Sequence, residues 1–191
     1  MLAAARALVA ERGADGVTMQ EVAAQAAVPI GSLYQFFPDR NALLARLFSD
    51  FLGRSDEMLQ DRLRRIDSVG ALERVAEELV EALYESIVDD VVAFELLCAA
   101  QSNRTLRDLY VADSHQSADR LYVTARPLAS EPVSDRRLRM VCFLVCDLVG
   151  SVVVRAIDGS APGGREYAKE YARMARAFLR SILEPPEGAR D

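Results

Sequence analysis

The sequence predicts an all-α fold, and three observations carry that prediction. Apolar residues recur at helical spacing along most of the chain. The one sizeable β-branched run, Val152 to Val154, lies inside a longer helical pattern. Caps and breakers fall between the periodic stretches, where helices must start and stop.

The first helix is expected from Leu2 to Arg12, with Ala5, Leu8 and Val9 on one face and Gly13 as its stop. The second opens at Thr18. Thr18-Met19-Gln20-Glu21 reads as a capping box, in which the Thr hydroxyl accepts the Glu amide and the carboxylate reaches back. A short third helix follows Pro29, a residue tolerated in the first helical turn, and ends before Pro38. Asp39 caps a long amphipathic fourth helix reaching about Arg65. Further helices are expected over Val69 to Val88, Val91 to Gln101, Thr105 to Leu128, Asp135 to Ile157 and Glu166 to Leu183. Gly159 to Gly164 is a break, Glu184-Pro185-Pro186 ends the last helix, and the tail over residues 186–191 is expected to lack fixed structure.

Composition narrows the class. The chain has 191 residues, a formal charge of −6, 51% hydrophobic and 27% charged residues, the profile of a soluble globular protein. No run approaches 18 apolar residues without a charge, and no basic-then-apolar leader opens the chain. The expectation is a cytoplasmic protein without a membrane partner. Cys98, Cys142 and Cys146 form no C-x-x-C, and with a single histidine a conventional zinc site is not expected. No phosphate-binding glycine loop or nucleophile elbow occurs, so no cofactor is expected. An acidic total ordinarily argues against a nucleic-acid binder.

The stretch 18–37, TMQEVAAQAAVPIGSLYQFF, points the other way. Two short helices are separated by a tight turn at Ala27-Val28, the layout of a helix-turn-helix whose second helix enters the major groove. Ala23, Ala26 and Ala27 allow the helices to cross closely. Gly31 removes the side chain that would hinder backbone approach. Ser32, Tyr34 and Gln35 offer hydrogen-bonding groups, while Leu33 and Phe37, at i and i+4, turn to the core.

With those residues in view, Leu2 to Leu47 resembles the DNA-binding domain of the TetR family of bacterial transcriptional regulators. The matching residues are Ala4-Ala5, Leu8, Glu11-Arg12-Gly13, Thr18-Met19, Val22-Ala23, Ala26-Ala27-Val28, Gly31-Ser32-Leu33-Tyr34, Phe37-Pro38-Asp39-Arg40 and Ala42-Leu43-Leu44. The resemblance implies a DNA-binding domain over residues 1–47 and a ligand-binding and dimerisation domain over 48–185. It implies a homodimer on a palindromic double-stranded operator, usually repressing, and released by a small effector. Carried onto this chain, Thr18 and Tyr34 would touch phosphates, and Gln20, Pro29, Ile30, Ser32 and Gln35 would face the groove. Arg40 would sit near a phosphate. Ile30 suits a thymine methyl as well as a neighbouring helix, and capping alone also accounts for Thr18.

The chain departs from the family at several points. Ala27 stands where the turn glycine is usual, and Pro29-Ile30 stand where a Ser cap and a base are often found. Phe36 replaces a residue able to donate to phosphate, and a basic arm usually precedes the first helix. Residues 1–52 carry a net charge of −1 and the remainder −5. Weak non-specific DNA binding is therefore expected from this chain, and such an arm ahead of Met1 would supply the missing charge.

In the middle helices Phe94, Leu97, Cys98, Gln101, Tyr110, His115, Tyr122, Met140 and Phe143 mix apolar walls with a few polar groups, as an effector pocket does. A small apolar or aromatic effector is the expectation. The apolar residues of the last two helices exceed what one subunit can cover, so Leu148, Val149, Val152, Val153, Tyr171, Met174 and Phe178 are assigned to a two-fold four-helix interface. The competing readings are an all-helical enzyme using Cys98 and His115, and a regulator fold that binds a protein in place of DNA.

Overall fold

The computed structural model describes residues 1–130 and 133–184. The expected tail at 186–191 lies outside the described residues. Among them the secondary structure is helical without strands. The chain forms two compact units. One comprises Met1–Arg54 with Ile87–Tyr110, and the other Ser55–Ser86 with the described residues from Val111 onward.

The first unit contains α1 (Leu2–Arg12), α2 (Met19–Gln25), α3 (Ile30–Phe36), the opening of α4 (Arg40–Leu63), α6 (Val91–Ala99) and the start of α7 (Arg104–Ala125). Its core holds Leu8, Val9, Val22, Leu33, Leu43, Leu44 and Phe48, with the Phe48 and Phe51 rings stacked at 6.3 Å. α1 packs against both α2 and α6. The α1–α6 approach is close at Gly13, where φ is 75° and an added Cβ would lie 2.9 Å from Glu95 Oε2. Asp90 fastens the same contact. Its carboxylate caps α6 by accepting from the Val92 and Ala93 amides, receives Arg6 of α1 at 2.9 Å, and receives Arg54 of α4 at 3.2 Å.

Local signals act as read from the sequence. Glu21 N–H donates to Thr18 Oγ1, and Thr18 N–H donates to Glu21 Oε2. Asp39 accepts from the Ala42 amide at 2.8 Å at the start of α4. Pro29 differs from expectation. It precedes the helix as its N-cap with ψ 138°, and its carbonyl accepts from Ser32 and Leu33. α4 stops at Leu63, two residues short of the expected end.

The second unit is built from the end of α4, α5 (Val69–Val88, as far as Ser86), the rest of α7, α8 (Asp135–Ile157) and α9 (Arg165–Leu183). Leu63, Leu72, Leu121, Leu138, Val141, Cys142, Leu179 and Leu183 form its main core. α7 ends at Ala125 rather than Leu128, because Pro127 has no amide to continue the ladder; Arg126–Leu128 close as a 3-10 turn. An acid–base ladder joins α5 to α9. Arg165 pairs with Glu81 and Glu85, Arg176 with Glu77 at 2.9 Å, and Arg180 with the buried Glu73 at 3.5 Å. α8 is long and apolar enough, by length and composition, to cross a membrane, with a mean hydropathy of 2.2 over 18 residues and a third of that window buried. Length and composition alone are weak evidence of a span, since a core helix passes the same test. Asp147 lies near the middle of α8.

One backbone feature carries a direct expectation. Ala27 is the one non-glycine residue with positive φ among the described residues, at 52°. The left-handed region costs an L-residue about 1–2 kcal/mol, and glycine gives part of that back in unfolded-state entropy. Ala27→Gly is therefore expected to stabilise the first unit by about 0.5–1 kcal/mol, read as a rise in its denaturant midpoint at unchanged slope. A lower midpoint would contradict the assigned turn.

Candidate nucleic-acid interface and effector region

α3 has one buried residue, Leu33, fully covered by the unit's core. The seven-residue helix is otherwise presented outward. Ile30 (39% exposed), Gly31, Tyr34 (45%) and Gln35 are exposed along it, with Gly31 and Gln35 opposite Leu33 and Ser32 half-buried at the flank. A Cβ placed on Gly31 meets nothing within 4 Å, so the backbone there is open to close approach. Pro29 is exposed just before the helix, and Gln20 is exposed on α2. Phe37 is half-buried, as expected from its spacing to Leu33. Phe36 is 69% exposed, a large apolar surface beside the exposed residues of α3.

Thr18 is exposed, and its hydroxyl donates to Glu21 Oε2 at 2.7 Å while accepting the Glu21 amide. These bonds, with the Arg12 guanidinium beside it, hold the Glu21 carboxyl below its usual range. A phosphate contact by Thr18 would have to share or replace its bond to Glu21. Arg40 is similarly occupied. It donates to the Asp15 carbonyl at 2.8 Å and lies 3.8 Å from the Asp15 carboxylate.

The same holds for the other arginines of residues 1–54. Arg6 and Arg54 share Asp90, Arg12 pairs with Glu21, and Arg46 pairs with Asp50 at 3.0 Å. Each arginine in this segment has a carboxylate within 4 Å, so the interface attracts phosphate less than its arginines alone suggest.

The residues expected to line an effector pocket divide between the units. Phe94, Leu97, Cys98, Gln101 and Tyr110 belong to the first, where Leu97 is buried and Gln101 exposed. His115, Tyr122, Met140 and Phe143 belong to the second. There the His115 and Phe143 rings approach to 4.5 Å, and the Arg139 guanidinium lies 3.7 Å above the Tyr122 ring. Met140 is exposed.

Sequence reading missed a polar cluster in the second unit. Asp56 receives Arg120 through Nε at 2.7 Å and Nη2 at 2.9 Å, Gln60 at 2.8 Å and Gln116 at 3.2 Å. The carboxyl of Asp113 is pushed up to about 6, chiefly by burial and then by the charge of Asp56, with Arg120 opposing. Burial pushes the Cys142 and Cys146 thiols up to about 12, leaving them essentially without thiolate at neutral pH. The i, i+4 spacing of Gln116 and Arg120 was visible in the sequence, but nothing local announced their partner 60 residues away.

Of the residues expected at a subunit interface, Val153 is fully buried within its own chain, because that turn of α8 faces the core. Leu148, Met174 and Phe178 are exposed, and Val149, Val152 and Tyr171 are half-buried. The Tyr171 hydroxyl donates to the Val145 carbonyl. Met140, Leu144 and Leu148 follow i, i+4, i+8 spacing and form an exposed apolar stripe on α8.

A helix-turn-helix with an outward-facing second helix, followed by an all-helical second unit, defines a DNA-binding transcription regulator. The chain belongs to the TetR family: residues 1–47 match the model for bacterial regulatory proteins of the tetR family, and residues 70–183 match the tetracyclin repressor-like C-terminal domain. No curated protein matches the chain. Many solved structures share its fold, three of them as follows. The transcriptional regulator FadR from Bacillus subtilis, solved with stearoyl-CoA, is 16% identical with a TM-score of 0.66, covering 96% of each chain. A TetR-family transcriptional regulator from Pectobacterium atrosepticum is 18% identical with a TM-score of 0.70, covering 97% of this chain and 93% of that one. GusR from Salmonella enterica is 19% identical with a TM-score of 0.66, covering 95% and 92%.

Proposed function

We propose that the chain is a ligand-responsive repressor that acts in the cytoplasm as a homodimer on a double-stranded operator of two related half-sites. The observation that carries this reading is the outward face of α3, where Ile30, Gly31, Tyr34 and Gln35 are exposed while Leu33 anchors the helix. Tyr34 supplies a phosphate hydrogen bond, and Gln35 and Ile30 read base edges, Ile30 against a thymine methyl. Thr18, Gln20, Pro29, Ser32 and Arg40 flank that contact. The chain works by binding and not by catalysis. A small effector with an apolar body, bound in the C-terminal domain, favours a conformation in which the two recognition helices no longer match their half-sites. It does so only by the difference in its affinity for the two states.

Footprinting beside its own gene tests this reading. Protection of a palindrome is expected, and none at low salt would overturn it. Tyr34→Phe is expected to weaken binding about equally on all sequences, whereas Gln35→Ala should relax preference at one base pair. Because the arginines of residues 1–54 are already paired, the salt dependence of binding is expected to be shallow; a log–log slope near −6 or steeper would contradict that electrostatic account.

A further inference from the structure

A groove of about 750 Å³ runs between the C-terminal part of α4 and α7 within the second unit. Leu63 and Val123 give it apolar walls. Arg64, in the turn that follows α4, and Arg120, on α7, line it from opposite sides, and Gln60 and Gln116 add amides. Asp119 also lines it, and that carboxylate is drawn toward Arg139 at 3.2 Å. Arg64 is largely solvent-exposed; its partner, Asp61, is equally exposed and is not among the residues lining this groove.

The donors in this groove already show which chemistry they select. Arg120, Gln60 and Gln116 converge on one carboxylate, that of Asp56, with Arg120 binding it through two nitrogens. A guanidinium has five N–H donors and a glutamine amide has two, so all three side chains keep donors beyond those spent on Asp56. We propose that this groove binds a small organic carboxylate. Its charged end is held by Arg64 and the remaining donors of Arg120 and the glutamines, and its apolar portion lies along Leu63 and Val123. Such a ligand competes with Asp56 for Arg120 and loosens the tie between α4 and α7. This names the chemistry of the effector, and only its consequence for DNA rests on the regulatory reading above.

The test is calorimetric titration of the full chain, without DNA, with three isosteric probes: 4-phenylbutyrate, 4-phenylbutylamine and 4-phenylbutanol. The carboxylate is expected to bind, and the amine is not. Arg64→Gln, a surface change unlinked to folding, is expected to weaken the carboxylate about five-fold or more, the size of one charge-assisted contact. Asp56→Asn frees Arg120 from its internal competitor and is expected to tighten binding. Equal binding of the amine or the alcohol, or no binding of the carboxylate, overturns the proposal. So does an unchanged affinity in Arg64→Gln, which decides the matter even where Asp56→Asn fails to fold. Because no DNA is present, a negative result leaves the operator reading to its own footprinting test.

Discussion

Leu33→Ala is expected to abolish operator binding while leaving the second unit folded. α3 has seven residues and buries only this one, so its position depends on a single side chain. A helix of that length has no stability of its own in water. Removing a fully buried leucine costs about 2–5 kcal/mol, against a total of about 5–15 kcal/mol for a whole domain. The loss falls on the first unit, since Leu33 lies in its core. Hydrogen exchange should show lost protection in α2 and α3 with α8 and α9 unchanged. Operator affinity within a few-fold of the parent would mean that α3 is held by contacts other than Leu33.

The paired substitution Leu148→Glu and Phe178→Glu is expected to convert the proposed homodimer into monomers. Both side chains are exposed on the chain by itself, and they lie on the stripes of α8 and α9 that carry Leu144 and Met174. Burying a carboxylate against the same apolar surface of a second copy carries a desolvation cost of several kcal/mol per ion. Because two half-sites bound together gain about 10²–10⁴ over one, operator affinity should fall by a factor in that range. Sedimentation velocity reads the first effect and a binding isotherm the second. A variant that sediments as the unsubstituted chain would move the subunit contact elsewhere.

Much of the helical order was legible because its causes are local. The Thr18–Glu21 box, the Asp39 cap and the apolar spacing of α5 act within a few residues. The misjudged end of α7 was also local, for Pro127 was there to be weighed and its missing amide ends the helix. What escaped reading depends on partners far apart in sequence. The α5–α9 ladder sets Glu73, Glu77, Glu81 and Glu85 at four-residue intervals, which reads as a solvated face until α9 brings its arginines alongside. Val153 looked like its neighbours on α8, and only packing distinguishes the turn that faces inward. The recognition face of α3 was readable from the alternation of Leu33 with Tyr34 and Gln35. The pairing of every arginine in residues 1–54 was not.

The contact of Asp90 with Arg6 and Arg54 has a bearing on how such regulators are rewired. Residues 87–110 complete the unit that contains the N-terminal helices, although more than thirty residues separate the two segments. A hybrid that borrows another protein's reading head by exchanging only the first few dozen residues would leave this aspartate facing a foreign surface. Transplants that carry the α6 segment along with the head keep the junction intact. Among chains that diversify by recombination, heads and the α6 segments beneath them should therefore be inherited together.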